Sequence, residues 1–151
     1  KKFNNIKDDD VMKYLTGVRG FNEDVIKQFD LISSRGDLVF LFTYGGKLVY
    51  AKRKKITGEK SKSITGIKGG FPILYNMREF TNKRILYITE GEFDAIALYQ
   101  LLYPYRYEIG GDISVVSMPN GADSAQYIYD NFFYYLDGFE KNISLKKISS
   151  S

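Results

Sequence analysis

The second half of the chain alternates between strand-like and helix-like segments, and this alternation constrains the fold more than any other feature. Four segments follow one another as strand, helix, strand and helix: 84–89, 92–102, 112–118 and 124–136. Two strands separated by such a helix need a crossover connection, which places them parallel in one sheet with helices on its faces. The sequence therefore predicts an α/β fold with a parallel sheet flanked by helices, to which residues 143–148 would add a third strand.

The first half predicts a smaller α+β structure. The acidic residues at 8–10 favour the start of a helix, and Asn22 suits the N-cap of a second one. Two β-rich runs, 38–44 and 47–51, are joined by Gly-Gly and predict a hairpin.

We therefore divide the chain into an N-terminal subdomain over residues 1–80 and a parallel-sheet domain over residues 81–151. Charge follows the same division, because residues 1–80 carry 16 Lys+Arg and 9 Asp+Glu, whereas residues 81–151 carry 6 and 9. A basic part beside an acidic part suits a protein that holds a phosphate backbone with one and a divalent cation with the other. An unevenly charged surface without function fits the counts equally well.

Residues 52–70 combine basic residues with serine, threonine and glycine, and this composition predicts a mobile loop. Four cations open it: Lys52, Arg53, Lys54 and Lys55. Charge runs usually form a solvated surface, but the same residues can bind phosphates of a template or nucleotide.

Cysteine and histidine are both absent from the 151 residues. Their absence excludes disulfides, cysteine-bound zinc and nucleophilic catalysis by serine–histidine or cysteine–histidine pairs. Any metal would have oxygen ligands, which favours Mg²⁺, Mn²⁺ or Ca²⁺. No apolar run approaches the roughly 20 residues that span a bilayer, and residues 1–10 lack the apolar part of a signal peptide, so we expect a cytoplasmic protein without a membrane partner.

Sites in open parallel sheets lie beyond the carboxyl ends of the strands, so the loops after Thr89 and Met118 are the candidate site. The first loop places the carboxylates of Glu90, Glu92 and Asp94 at a strand-to-helix turn. Acids in a first helical turn are also explained by the helix dipole alone, at up to about 1 kcal/mol each. The second loop reads Met-Pro-Asn-Gly-Ala at 118–122, a composition that also forms ordinary turns.

Together these two loops resemble a known family. Residues 85–98, ILYITEGEFDAIAL, are similar to the first motif of the TOPRIM domain, and residues 115–122, VVSMPNGA, resemble the loop after the second strand in phage and mitochondrial (Twinkle-type) DNA primase-helicases. Weaker upstream matches at 48–54 and 70–76 extend the resemblance over about 11–148. It implies a TOPRIM-like parallel sheet preceded by a small basic primase subdomain.

The resemblance also implies an activity. The family's primases are nucleotidyltransferases that synthesise RNA primers on single-stranded DNA from nucleoside triphosphates, here in phage or plasmid-like replication in a bacterial cytoplasm. It assigns Glu90 as general acid/base or as a carboxylate of a site for Mg²⁺ or Mn²⁺. Asp94 lies four residues further on and could approach the same face of the first helical turn, so it is the next candidate. The family's metal-binding Asp-x-Asp pair follows the third strand and is absent here, so we expect the chain alone to be inactive and a poor metal site.

The same resemblance assigns template or nucleotide contacts to a basic strand and to the second loop: Lys52, Arg53, Lys54, Lys55, Asn120 and Gly121. It also implies a helicase domain further along the full-length protein. Two other functions stay open. One is a noncatalytic single-stranded nucleic-acid-binding module of a Twinkle-like helicase, and the other is a TOPRIM nuclease or topoisomerase.

Overall fold

The computed structural model describes residues 3–145 and divides the chain into two units, one up to Pro72 and one from Ile73 onward. In residues 3–72, five strands form one sheet in the order β1-β2-β3-β4-β5. The strands are β1 Asn4–Asn5, β2 Leu31–Ser34, β3 Asp37–Tyr44, β4 Lys47–Lys55 and β5 Lys62–Ser63. The first pair is parallel and the other three are antiparallel.

Two short helices precede this sheet's main strands. Helix α1, Asp9–Lys13, begins where the Asp8 carboxylate accepts hydrogen bonds from the backbone N–H groups of Asp10 and Val11, and a π-helical turn continues it. Helix α2, Glu23–Ile26, follows the predicted N-cap position. Both predicted helices are therefore present, and each buries valine or isoleucine in the first core.

Strands β3 and β4 form the predicted hairpin, and its turn residues Gly45 and Gly46 both have the positive φ that such turns require. β4 continues to Lys55, however, so the start of the predicted mobile loop is wrong. All four predicted basic residues lie in β4, because the strand stays paired with β3 as far as Asp37. Paired backbone groups stabilise the strand despite its charged composition.

The second unit begins earlier than predicted. The expected boundary between residues 80 and 81 falls inside it, because the segment from Ile73 packs into its core and Tyr75 exchanges two backbone hydrogen bonds with Ser117, at 2.8 and 3.1 Å. The Asn76 side chain also donates to the Val115 carbonyl at 3.0 Å. The segment before the first parallel strand therefore belongs to the second unit, where it is hydrogen-bonded to Val115 and Ser117.

Three parallel strands form the sheet of residues 73–145, in the order β7-β6-β9. The elements in chain order are β6 Ile85–Thr89, α3 Glu92–Leu102, α4 Arg106–Ile109, β7 Val115–Ser117, β8 Pro119–Ala122, α5 Ala125–Asp137 and β9 Lys141–Leu145. Leu86, Val115 and Val116 are fully buried, as expected for a parallel sheet covered by helices. The parallel α/β architecture is confirmed.

The predicted third strand is also present, although it begins at Lys141 rather than at 143. Positions 146–148 of that prediction lie outside the described residues. Among residues 3–145 the longest helix, α5, has 13 residues, and no helix there is long and apolar enough to cross a membrane.

Asp112 ties the segment before β6 to the loop before β7. Its carboxylate binds the Arg78 guanidinium at 2.9 Å and accepts the Thr81 backbone N–H at 2.8 Å. Burial by itself raises the pKa of Asp112, but the hydrogen bonds from Arg78 and Thr81 outweigh burial and hold the pKa below its ordinary value of 3.8.

A lowered pKa in the folded state means that the ionised Asp112 stabilises the fold above its unfolded pKa, and that this contribution disappears as the pH falls through the folded pKa. We expect Asp112→Asn to lower the free energy of unfolding by about 1–3 kcal/mol at pH 7. The difference from wild type should shrink below about pH 4. Urea unfolding at pH 7 and pH 3 measures both effects, and a difference that does not change with pH would contradict them.

Candidate functional site

The three parallel strands end level with one another. Thr89 lies beside Ser117 on one side and Leu145 on the other, and the Met118 N–H donates to the Thr89 carbonyl at 2.9 Å. The loops after β6 and β7 therefore start side by side at the carboxyl edge, where ligand sites of such sheets lie.

A cavity of about 220 Å³ lies beyond this edge. Its lining residues are Ile88, Thr89, Glu90, Met118, Ala122, Ala125, Ser144 and Leu145. Glu90 alone among them has an ionisable side chain, and most of the others are apolar. The predicted catalytic glutamate thus borders a cleft, and the predicted second loop borders the same cleft through Met118 and Ala122.

Thr89 holds the turn that carries Glu90. Its buried hydroxyl, in a residue 1% exposed, donates to the Gly91 carbonyl at 2.9 Å and also lies 3.4 Å from the Val116 carbonyl. The Gly91 carbonyl accepts the Ala95 N–H as well, at 3.1 Å, which starts α3. Sequence reasoning missed this role of Thr89, because a threonine at the end of a strand has no distinguishing pattern.

Asp94 is not brought to the cleft with Glu90. Glu92 and Asp94 are 6% and 7% exposed and do not line the cavity. The predicted approach of Glu90 and Asp94 relied on helical spacing, but Gly91 is the N-cap of α3 and has extended backbone angles, so Glu90 precedes the helix.

At the cleft, Glu90 has no second carboxylate beside it among the lining residues. Across residues 3–145, no three acidic side chains are grouped so that they could hold a metal ion. Glu90 by itself does not make a magnesium site, since this ion also needs further oxygen ligands in a near-octahedral arrangement.

Ser124 organises the second loop. Its hydroxyl donates to the Gly121 carbonyl at 2.8 Å and accepts the Asn120 N–H at 3.3 Å, just before α5. Gly121 has a φ of 66°, a conformation that favours glycine. Asn120 is exposed, and neither Asn120 nor Gly121 lines the cavity, so the loop meets the cleft through its flanking residues.

The four predicted phosphate-binding cations of β4 differ in their surroundings. Arg53 binds the Asp37 carboxylate at 3.0 Å and the Ser34 carbonyl at 2.9 Å. Lys52 and Lys54 are buried, and the Lys54 ammonium donates to the Glu59 carbonyl. Lys55 is exposed, with the Glu59 carboxylate 3.8 Å away.

One further cation faces this strand. Lys62 of β5 is exposed and lies directly opposite Arg53 in the antiparallel ladder. Arg53 already binds the Asp37 carboxylate, so Lys62 is the exposed cation of this opposed pair. Sequence reasoning placed Lys62 in a loop, so the strand pairing that joins it to Arg53 was not visible there.

Comparison with solved structures identifies the same fold elsewhere. The chain is similar to the primase fragment of the bacteriophage T7 primase-helicase protein, with a TM-score of 0.65 and 19% sequence identity over 88% of this chain and 53% of that one. The chain is also similar to one in a structure of the T7 lagging-strand DNA polymerase interacting with primase domains of two subunits bound to an RNA/DNA hybrid and dTTP. There the TM-score is 0.65 and the sequence identity 20%, over 88% of this chain and 65% of that one. This chain therefore shares its fold with the T7 primase fragment.

No family model and no curated protein sequence matches the chain. The chain spans 53% and 65% of the two T7 chains that it resembles. Likeness at this level of identity establishes the fold alone.

Proposed function

We propose that this chain is part of a DNA primase that synthesises short RNA primers on single-stranded DNA. The observation that carries the proposal is the position of Glu90, which borders a cleft at the carboxyl edge of a parallel sheet in a phage-primase fold. The TOPRIM-like motif around Glu90 and the basic strand β4 support the same function. Nucleoside triphosphates, a single-stranded template and a helicase domain in the full-length protein are the partners it requires.

In this proposal Glu90 accepts the proton of the attacking 3′-hydroxyl, whose oxygen bonds to the α-phosphorus of the incoming nucleotide as pyrophosphate leaves. A carboxylate oxygen can act as the general base when the 3′-hydroxyl lies within hydrogen-bond reach of it. The turn around Gly91 fixes its backbone, which is what orientation of a catalytic group demands.

A second function fits one specific observation. Because residues 3–145 contain no cluster of three acidic side chains suited to a metal, the domain could bind single-stranded nucleic acid without catalysis. The basic strand would then be the functional part.

The two functions are separated by template-dependent incorporation of labelled ribonucleotides, measured with the longest natural polypeptide that contains this chain. Primers of defined length that require single-stranded DNA would support the primase. No incorporation, together with DNA binding that weakens steeply as salt rises, would refute the primase and leave the binding module.

Lys62 gives a test of the nucleic-acid contact. We expect Lys62→Gln to weaken single-stranded DNA binding about threefold to tenfold and to lower the salt slope by about one, since it removes one phosphate contact.

Lys60→Gln is the matched control, because Lys60 is an exposed lysine of the same unit outside the strands. It should change the binding less and leave the stability unaltered. Equal effects of the two substitutions on binding would show that only overall charge matters, and would contradict a specific contact at Lys62.

A further inference from the structure

Ser144 is a polar side chain of the cleft that the proposed chemistry does not use. It lies in β9 and pairs with Ile88 of β6, and both residues line the cavity that Glu90 borders. Ser144 is exposed, and within residues 3–145 its hydroxyl has no hydrogen-bond partner. In the same range the Glu90 carboxylate has no hydrogen bond or ion pair. A carboxylate and a hydroxyl thus border one small cavity with their hydrogen-bonding capacity unused.

The charge of the lining limits what this cavity accepts. None of its eight lining residues is a lysine or an arginine, and Glu90 contributes a negative charge. Phosphate groups are bound by cations and by charge-assisted hydrogen bonds, which this lining does not supply through its side chains. The part of a nucleotide that enters the cavity is therefore an uncharged part.

The size of the cavity limits its occupant further. Its volume of about 220 Å³ lies below the roughly 300–1,000 Å³ of pockets that enclose a drug-sized ligand. A sugar ring suits this space better than a whole nucleotide does. Ribose is uncharged, has C–H groups that pack against apolar walls, and carries two hydroxyls on neighbouring carbons. Those two hydroxyls match the two unused polar groups of the lining.

We propose that Ser144 is a specificity-determining residue, which binds the 2′-hydroxyl of the ribose whose 3′-hydroxyl lies at Glu90. The inference rests on the proposed function for the position of the 3′-hydroxyl. A carboxylate only accepts hydrogen bonds and takes the 3′-hydroxyl proton, whereas the serine hydroxyl both donates and accepts and so pairs with the 2′-hydroxyl. DNA lacks this hydroxyl, which is the group that distinguishes RNA from DNA. The cleft thereby selects the end of an RNA primer over a DNA end.

The deciding experiment compares two primers that differ only in their last sugar, ribose or 2′-deoxyribose, on one template. With the longest natural polypeptide that contains this chain, we expect kcat/KM to favour the ribose end about fivefold to tenfold, as one hydrogen bond predicts. Ser144→Ala should reduce this preference to within about twofold by slowing only the ribose-ended primer. Ser144→Thr keeps the hydroxyl and should retain most of the preference. Equal slowing of both primers in Ser144→Ala overturns the inference, and so does an unchanged preference.

Binding of uncharged nucleosides tests the same contact without catalysis. Adenosine and 2′-deoxyadenosine are titrated into the same polypeptide while the amide signals of Glu90 and Ser144 are followed by NMR. Adenosine should shift both signals and bind about fivefold more tightly than 2′-deoxyadenosine, a difference that Ser144→Ala should abolish. Inorganic phosphate should leave both signals unchanged. Equal binding of the two nucleosides, or shifts caused by phosphate alone, would overturn the ribose site. A wild type that prefers adenosine but makes no primers would refute the proposed function and support the ribose site.

Discussion

Primer synthesis is expected to fall by about 10²-fold to 10⁴-fold when Glu90 is replaced by glutamine, the usual range for loss of a general acid or base. Glutamine preserves the size and shape of the side chain but cannot accept a proton. Among the residues that line the cleft, no other side chain could take over this role, because Glu90 alone is ionisable. The rate of labelled ribonucleotide incorporation at saturating template measures the effect.

Template binding provides the internal comparison for this substitution. Glu90 is not among the predicted nucleic-acid contacts, so the affinity of Glu90→Gln for single-stranded DNA should remain within about twofold of wild type, or rise slightly as a negative charge is lost. Glu140→Gln removes the same charge at an exposed position outside this cleft and should leave the rate unchanged. A wild-type rate in Glu90→Gln would remove Glu90 from the mechanism.

The α/β architecture was predictable because its signals are local. The hydrophobic period changes within a few residues between the strand 85–89 and the helix Glu92–Leu102. A strand followed by such a helix needs a crossover connection to reach the next strand, and this connection makes the two strands parallel. The hairpin turn at Gly45 and Gly46 was equally local, since positive φ at both positions selects glycine.

Tertiary pairing explains where the sequence was misleading. The composition around Lys52 and Lys54 predicted a loop. In the structure Lys52 pairs with Phe40 and Lys54 pairs with Leu38, so both residues belong to β4. The boundary between the units was placed too late for a related reason, because the segment from Ile73 has no periodic pattern and its contact with Ser117 lies about forty positions away in sequence.

The candidate site was predictable in part. Glu90 follows from the rule that sites lie at the carboxyl edge, together with the motif, and the structure places it beside a cleft there. The separation of Asp94 from Glu90 was not predictable. It depends on the helix starting only after Gly91, which has extended backbone angles, so that Glu90 lies outside the helix and Asp94 inside it. The Arg53 and Lys62 pair depends on strand register, which sequence periodicity does not supply.

Replacing Tyr75 with alanine is expected to cost about 3–5 kcal/mol of stability, the range for removing a large aromatic side chain from a core. Tyr75 is 0% exposed and is the largest fully buried side chain of the described residues. Its backbone also pairs with Ser117, directly before the loop that borders the cleft. A loss of this size is comparable with the whole stability of many small domains, so the variant should be largely unfolded in the second unit near 37 °C.

Hydrogen exchange with mass spectrometry locates this effect along the chain. Tyr75→Ala should lose protection in the strand Val115–Ser117, with which Tyr75 pairs, and in the neighbouring strand Ile85–Thr89. Tyr75→Phe keeps the ring and should lose no more than about 1–2 kcal/mol, the value of one hydrogen bond, so the two variants separate packing from polar contacts. Protection in both strands that survives Tyr75→Ala would show that the segment from Ile73 lies on the sheet without supporting it. In that case the cleft beside Glu90 would owe its shape to the strands and helices alone.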